Sequence, residues 1–455
     1  MSSLPLLAHE SPEAVVAWRG GSAITARQFI ADAAAVAAML PSGQHVLNVC
    51  SDRYRFAVGF AASLLAGRTS LLPPTQVPEV IRRLRDFAPD VICLTDEPDC
   101  SIDLPRLHFP RQPASLPATF AVPRIDGDLL AAQVFTSGST GVPVAHAKTW
   151  AYLAADVQVE AQRLGFAEPS RWAVVATVPP QHMYGFESSV LLPWHAGQSF
   201  CAERPFYPAD IADTLAAVPR ARVLVSTPVH LRALLAADIA TPALDLVLCA
   251  TAPLEESLAA AVEERLGARI LEIYGSTETG QIASRHTTDG PAWRLWPGVE
   301  LQERDGRMWA RGGHLPAATL LGDLLDKLPD NRFLLRGRTE DMINVAGKRS
   351  SLAYLNHQLA AIPGVLDGAF FLPEMSEQGG HPATGIARLA AVVVAPTLRR
   401  ADIVEALRSR IDAVFLPRPL LQVERMPRNA TGKLPRAVLD ALLQRELQAG
   451  PEANA

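Results

Sequence analysis

No two of the five cysteines, at positions 50, 93, 100, 201 and 249, stand in a Cys-x-x-Cys spacing, and their number is odd. That pattern signals neither a disulfide framework nor a zinc site, so core thiols are expected. Long apolar runs are missing too. The longest nearly unbroken one, Phe56 to Gly67, stops at Arg68 after twelve residues, well short of the ~20 a bilayer-crossing helix needs. The first ten residues lack the basic start and sustained apolar core of a signal peptide, so a cytoplasmic location is expected. Nor is the chain basic: its formal net charge is −5, which argues against general nucleic-acid binding. Two nucleotide motifs also fail. Gly432-Lys433 is followed by Leu434 rather than Ser or Thr, and no Gly-x-Gly-x-x-Gly opens a helix.

What is present is a chain of 455 residues, 49% hydrophobic with mean hydropathy +0.12, enough for a large core and more than one domain. Up to about Pro123 helix and strand patterns mix. Ala26 to Met39 is helical with Thr25 as N-cap, Val46 to Cys50 is a strand, and Phe56 to Ala66 is a buried helix. A Pro-rich connector then leads to a strand over Leu129 to Phe135, and helix resumes after Lys148. Strands at Trp172 to Thr177, Val223 to Ser226, Leu246 to Ala250 and Ile270 to Tyr274 alternate with helices over Pro228 to Ala236 and Glu255 to Leu266. This is an α/β pattern. Leu301 to Arg311 reads as a hairpin turning at Asp305-Gly306. After Arg338 helices and strands restart as a compact α+β domain.

Four stretches carry chemistry. Thr136-Ser137-Gly138-Ser139-Thr140-Gly141, following Val134-Phe135, has the glycines and hydroxyls of a phosphate-gripping loop; the same composition also makes ordinary turns. Tyr274-Gly275-Ser276-Thr277-Glu278 joins a ring that can stack on a base to a carboxylate that suits Mg²⁺, though a turn with a surface glutamate reads equally well. Asp323 could accept from ribose hydroxyls, with Arg338 reinforcing the contact; surface ion pairing explains them as well. Gly432 makes a turn that projects Lys433, a compact mobile cation suited to a transferring phosphoryl group.

Together, in this order, these stretches resemble the adenylate-forming superfamily of acyl-CoA synthetases, peptide-synthetase adenylation domains and luciferases. The resemblance implies an α/β fold, with a large N-terminal core of mixed sheets and helices (1–339) and a small mobile α+β C-terminal domain (340–455). It implies that Thr136 to Gly141 grip triphosphate, that Tyr274 to Thr277 hold adenine, and that Glu278 binds Mg²⁺. Asp323 and Arg338 would fix the ribose, Glu340 would be the hinge, and Lys433 the mobile catalytic lysine. Two softer matches add Thr251-Ala252-Pro253 beside adenine and His182 at the acyl pocket. Phe186, Ser226 and Thr279 are further candidate pocket walls, each also readable as plain core or turn.

One position departs from the pattern. The lysine that usually follows the loop proline is Val144 here, and the nearest lysine is Lys148. Val142 to Trp150 resembles instead a branch associated with bacterial aryl polyene and xanthomonadin pigments, whose ligases load an aromatic acid such as a hydroxybenzoate onto an acyl carrier protein. The implied reaction uses ATP and Mg²⁺ to form acyl-AMP, followed by transfer to a phosphopantetheine thiol. A CoA ligase for an aryl or medium-chain acid is the second reading, and a catalytically silent nucleotide-binding protein the third. Between Arg388 and Arg436, ten Lys/Arg face four Asp/Glu, an excess that suits an acidic carrier protein, the phosphates of CoA or merely a solvated surface.

Overall fold

The computed structural model describes residues 3–137, 143–166, 172–237, 239–338, 342–345, 348–373, 389–429 and 434–449. The chain divides into two compact units, one of residues 1–301 and 310–319, the other of residues 302–309 and 320–455.

In the first unit, one sheet runs in spatial order through Ala292–Leu295, Gly280–His286, Arg269–Ser276, Leu246–Cys249, Arg222–Ser226, Ala173–Ala176, Ser199–Cys201, Val15–Arg19 and Ser22–Thr25. From Arg269–Ser276 to Val15–Arg19 the neighbours are parallel, and the flanking pairs are antiparallel. Parallel strands are covered on both faces, which is why they read in sequence as short continuous apolar runs. The helices Pro208–Ala216, Pro228–Ala236 and Glu256–Leu266 cover one face, burying Leu215, Leu231, Leu234, Leu258 and Val262 against Leu224 and Val247.

The second sheet of this unit runs Pro143–Thr149, Leu130–Ser137, Thr69–Leu72, His45–Asn48, Ile92–Thr95, Arg106–His108, with only the first pair antiparallel. The Pro143–Thr149 strand is an addition to the sequence reading, which has nothing between the small-residue stretch and the next helix. Val144, His146 and Lys148 alternate with Ala145 and Ala147, and the mixture of one apolar and two polar residues on one face with alanines on the other hides the usual period of a half-buried strand. The expected Thr25 cap is present, its side chain accepting from the Gln28 amide at 3.3 Å. The second helix begins at Arg53 rather than Phe56 because the Asp52 carboxylate caps the Arg55 amide at 2.9 Å.

The second unit holds an antiparallel hairpin, Asp323–Leu328 with Arg332–Arg338, and a sheet of Asp367–Phe371, Ala390–Val394 and Leu420–Gln422. Successive residues of this sheet face opposite ways. Phe370, Ala391 and Val393 join one core with the helices Leu352–Ala360 and Arg400–Arg408, and Phe371, Ala390 and Val392 join another with Arg436–Ala449. The expected turn at Asp305-Gly306 is there, with φ of 51° and 70°, the paired positive values of a type I′ hairpin turn.

All five cysteines are buried thiols, and burial pushes Cys93 and Cys201 up to about 12, a range in which a thiol is inert. Among the described residues no helix is long and apolar enough to cross a membrane.

Candidate active site

The strands Ala173–Ala176, Arg222–Ser226, Leu246–Cys249 and Arg269–Ser276 are parallel neighbours, so their carboxyl ends lie on one edge. Ligands of open α/β sheets bind at that edge. From it leave the segments carrying His182, Ser226, Thr251 to Pro253 and Tyr274 to Thr279.

The end of Ala173–Ala176 is tied down by a residue the sequence reading passed over. Arg53, fully buried, donates from Nη2 to the carbonyls of Ala176 (3.0 Å) and Val178 (2.7 Å). Its Nη1 reaches the carbonyls of Cys201 and Glu203, and Nε reaches Ser189 Oγ. Burial lowers this guanidinium to about 10, so it stays charged at neutral pH.

The Tyr274–Glu278 stretch folds as a tight reversal. A Cβ on Gly275 would lie 2.2 Å from the Gly280 carbonyl oxygen, so the crossing admits only glycine. Ser276 and Thr279 brace the turn reciprocally: the Ser276 amide donates to Thr279 Oγ1 at 3.1 Å and the Thr279 amide to Ser276 Oγ at 3.3 Å. Glu278 is left pointing outward, its side chain 40% exposed. His146 Nε2 lies 3.5 Å from Glu278 Oε1 and shares a 3.0 Å hydrogen bond with Thr136 Oγ1. The carboxylate is thereby joined to the start of the small-residue stretch.

Beneath the turn lies a buried polar layer. Lys148, 2% exposed, donates from Nζ to the Glu278 carbonyl at 3.1 Å and to Tyr152 Oη at 2.9 Å. His314 Nε2 donates to the Thr279 carbonyl at 2.8 Å and lies 3.5 Å from Asp156 Oδ1. Burial lowers Lys148 to about 8, with Glu187 and Asp156 opposing the shift, and lowers His314 to about 4. Lys148 is therefore cationic and His314 neutral at pH 7. Asp156 and Glu187 are both raised, first by burial, and Asp156 further by Glu187; two facing carboxyls sharing a proton leave one negative charge opposite Lys148. Glu160, pushed up to about 8 by burial, accepts from Ser188 Oγ and from Gln281 Nε2.

The remaining candidates sit as follows. His182 is the N-cap of the short Met183–Phe186 helix, and its carbonyl accepts from the Phe186 amide at 2.7 Å. Phe186 is fully buried, its ring 4.8 Å from Phe60 and 6.2 Å from Phe56. Ser226 Oγ is 3.0 Å from Thr177 Oγ1, and the Ser226 carbonyl accepts from Tyr184 Oη at 3.3 Å. The buried Thr279 hydroxyl donates to the Gly280 carbonyl. Tyr274 packs beside Trp293, centroids 5.6 Å apart. The loop after Leu246–Cys249 is braced by Glu272, which accepts from the Leu254 amide and pairs with Arg285 at 2.6 Å.

Thr251 in that loop has φ of 78°. A β-branched residue in the left-handed region is strained by roughly 1–3 kcal/mol, so Thr251→Gly is expected to raise the thermal midpoint. An unchanged or lowered midpoint in a thermal melt would show that the loop holds Thr251 without strain.

In the second unit Asp323 and Arg338 are register partners at the open end of their hairpin. Arg399, Arg400, Arg408, Arg428 and Arg436 are ion-paired to acids of the same unit, and Glu446, Asp367 and Asp440, which lie outside the Arg388–Arg436 stretch, offset part of its basic excess. Gly138, Ser139, Thr140, Gly141, Glu340 and Lys433 lie outside the described residues; Ser137 ends the Leu130–Ser137 strand.

The donor set also bears on Mg²⁺. No group of three or more His, Cys, Asp or Glu among the described residues could cage a metal. One outward carboxylate, Glu278, fits instead an ion that arrives with a nucleotide, because Mg²⁺ keeps several waters and is held by one or two carboxylates plus substrate phosphates.

The model of the AMP-binding enzyme family matches residues 7–302. The chain belongs to that family. Among its curated relatives is a 4-coumarate–CoA ligase of Rhodobacter capsulatus, 32% identical over 298 residues, 63% of this chain and 71% of the relative. Another is a medium/long-chain-fatty-acid–[acyl-carrier-protein] ligase of Mycobacterium tuberculosis, 24% identical and covering 84% of this chain and 76% of the relative. The fold matches the o-succinylbenzoate CoA synthetase of Bacillus subtilis with its acyl-adenylate, TM-score 0.79 at 19% identity, over 96% of this chain and 98% of that one. This AMP-binding enzyme is thus an adenylate-forming acid–thiol ligase, activating a carboxylic acid with ATP as acyl-AMP.

The site chemistry follows from charge. A carboxylate must attack the α-phosphorus of ATP, so repulsion must be neutralised and the two groups held in line. Mg²⁺ arriving with ATP would supply charge neutralisation at the phosphates, and Glu278 is the described carboxylate that would hold it.

Proposed function

We propose that this ligase activates a small aromatic acid, such as a hydroxybenzoate, and passes the acyl group to the phosphopantetheine thiol of an acyl carrier protein. The observation that carries the size argument is the Tyr184–Ser226 contact. The Tyr184 hydroxyl donates to the Ser226 carbonyl at the end of its strand, fastening together two segments assigned to the acyl pocket, which favours a small acid over a long chain. The name of the 4-coumarate ligase relative supports an aromatic acid. Acyl transfer to a CoA thiol is the second reading, supported by the acceptor named for that same relative.

In this reading Thr136 to Gly141 grip the triphosphate, Thr251 to Pro253 and Tyr274 to Thr277 hold adenine, and Asp323 with Arg338 fixes the ribose. Glu278 is the Mg²⁺ ligand, and His182, Phe186, Ser226 and Thr279 border the acyl group. Residues 340–455 turn about Glu340, presenting Lys433 for adenylation and withdrawing it for thiolation. The test is acid-dependent ATP–pyrophosphate exchange across benzoates, cinnamates and aliphatic acids, followed by thioester formation with CoA and with holo carrier protein offered separately. Benzoates are expected to exchange fastest and carrier protein to be the better acceptor; faster exchange with aliphatic acids, or exclusive use of CoA, overturns the corresponding half.

A further inference from the structure

Three side chains from two separate stretches converge on two successive residues of the turn. His146 approaches the Glu278 carboxylate, Lys148 bonds the Glu278 carbonyl, and His314 bonds the Thr279 carbonyl. His146 and Lys148 lie on one face of the Pro143–Thr149 strand, so a single strand grips both the head and the backbone of Glu278. We propose that His146, Lys148 and His314 are positioning residues that preorganise the Glu278 turn for the metal-bound nucleotide. This rests on the reading of Glu278 as the ligand that meets Mg²⁺ with ATP.

The energetics argue against a filler role for Lys148. A buried ammonium costs several kcal/mol unless it is paired and fully hydrogen-bonded, and an apolar side chain would fill the same volume without that cost. Here the cost is offset by an island built around the ion: Tyr152 Oη accepts from it, the Tyr152 ring centroid lies 4.0 Å from Nζ, and Asp156 and Glu187 supply opposite charge. The island reaches the next residue as well. A Cβ on Gly280, at φ 65°, would lie 2.5 Å from Asp156 Oδ2 and 2.7 Å from Tyr152 Oη, so the backbone of the turn rests directly on these oxygens. The carboxylate head is part-exposed above a base packed on these groups, which is the arrangement preorganised binding requires.

The test uses Mn²⁺ as a paramagnetic stand-in for Mg²⁺, with ATP and no acid, and reads its binding by electron paramagnetic resonance. Lys148→Met alone leaves buried carboxyl charge uncompensated, so it is paired with Glu187→Gln; His146→Gln, at a half-buried position, leaves the island intact. Both variants are expected to weaken Mn²⁺–ATP binding ~10-fold while the KM for the acid stays within about two-fold. Excess Mg²⁺ should restore the exchange rate of His146→Gln. Wild-type Mn²⁺ affinity in both variants, with affinity lost in Glu278→Gln, overturns the clamp and leaves the metal assignment standing. Wild-type affinity in Glu278→Gln overturns the metal assignment itself.

Discussion

Lys433→Ala is expected to abolish acyl-AMP formation, lowering acid-dependent pyrophosphate exchange by roughly 10²–10³-fold or more, while ATP still binds within a few-fold of wild type. Two negative groups meet in the adenylation step, and a compact ammonium is the kind of group that lowers that barrier without adding much ground-state affinity. Exchange is measured with the preferred acid, and binding by calorimetry with ATP alone. Unchanged exchange would remove Lys433 from the mechanism; a parallel loss of binding would make it a nucleotide anchor instead.

Arg53→Met is expected to cost about 3–5 kcal/mol of stability, because it leaves several buried carbonyls without a donor. The side chain is of similar length, but it returns nothing to the carbonyls of Ala176, Val178, Cys201 and Glu203 that Arg53 now satisfies. Arg53→Lys should recover little of this, because one ammonium cannot span acceptors on three chain segments as a planar fork does. A drop in the urea midpoint, followed by near-ultraviolet circular dichroism, measures the effect. A cost under about 1 kcal/mol would mean that the freed carbonyls find water.

The contrast between Arg53 and the parallel strands shows which parts of the molecule the sequence discloses. Val223 to Ser226 and Leu246 to Cys249 are legible because local composition and burial agree: branched apolar residues in short runs have few other homes. Thr25 and the Asp305-Gly306 turn are legible for the same local reason. Arg53 sits among Asp52, Tyr54 and Arg55, which reads as a solvated helix start, and only its partners from distant segments make it central. Tyr152, Asp156 and Glu160 recur every fourth residue on one helix, so they share a stripe. In an Ala-rich helix that stripe passes for the solvent face; Glu187, Ser188, Gln281 and His314, each remote in sequence, turn it inward. In the sequence His146 and Lys148 stand out only as part of an unusual loop continuation. Their pairing with Glu278 depends on a strand register that alternation did not reveal.

The Pro143–Thr149 strand is also the last of its sheet, paired on one side by Leu130–Ser137. An outer strand offers its spare amides and carbonyls to any other extended chain, and proteins discourage this with proline and with polar side chains along the rim. Pro143 at the first position and His146 in the middle provide both. His146→Val would leave Val144 to Ala147 without a polar side chain, creating a self-pairing segment at the mouth of the site. Replacing His146 is therefore expected to bear on self-association as well as on the Glu278 carboxylate, which restricts the choice of residue there more tightly than catalysis alone.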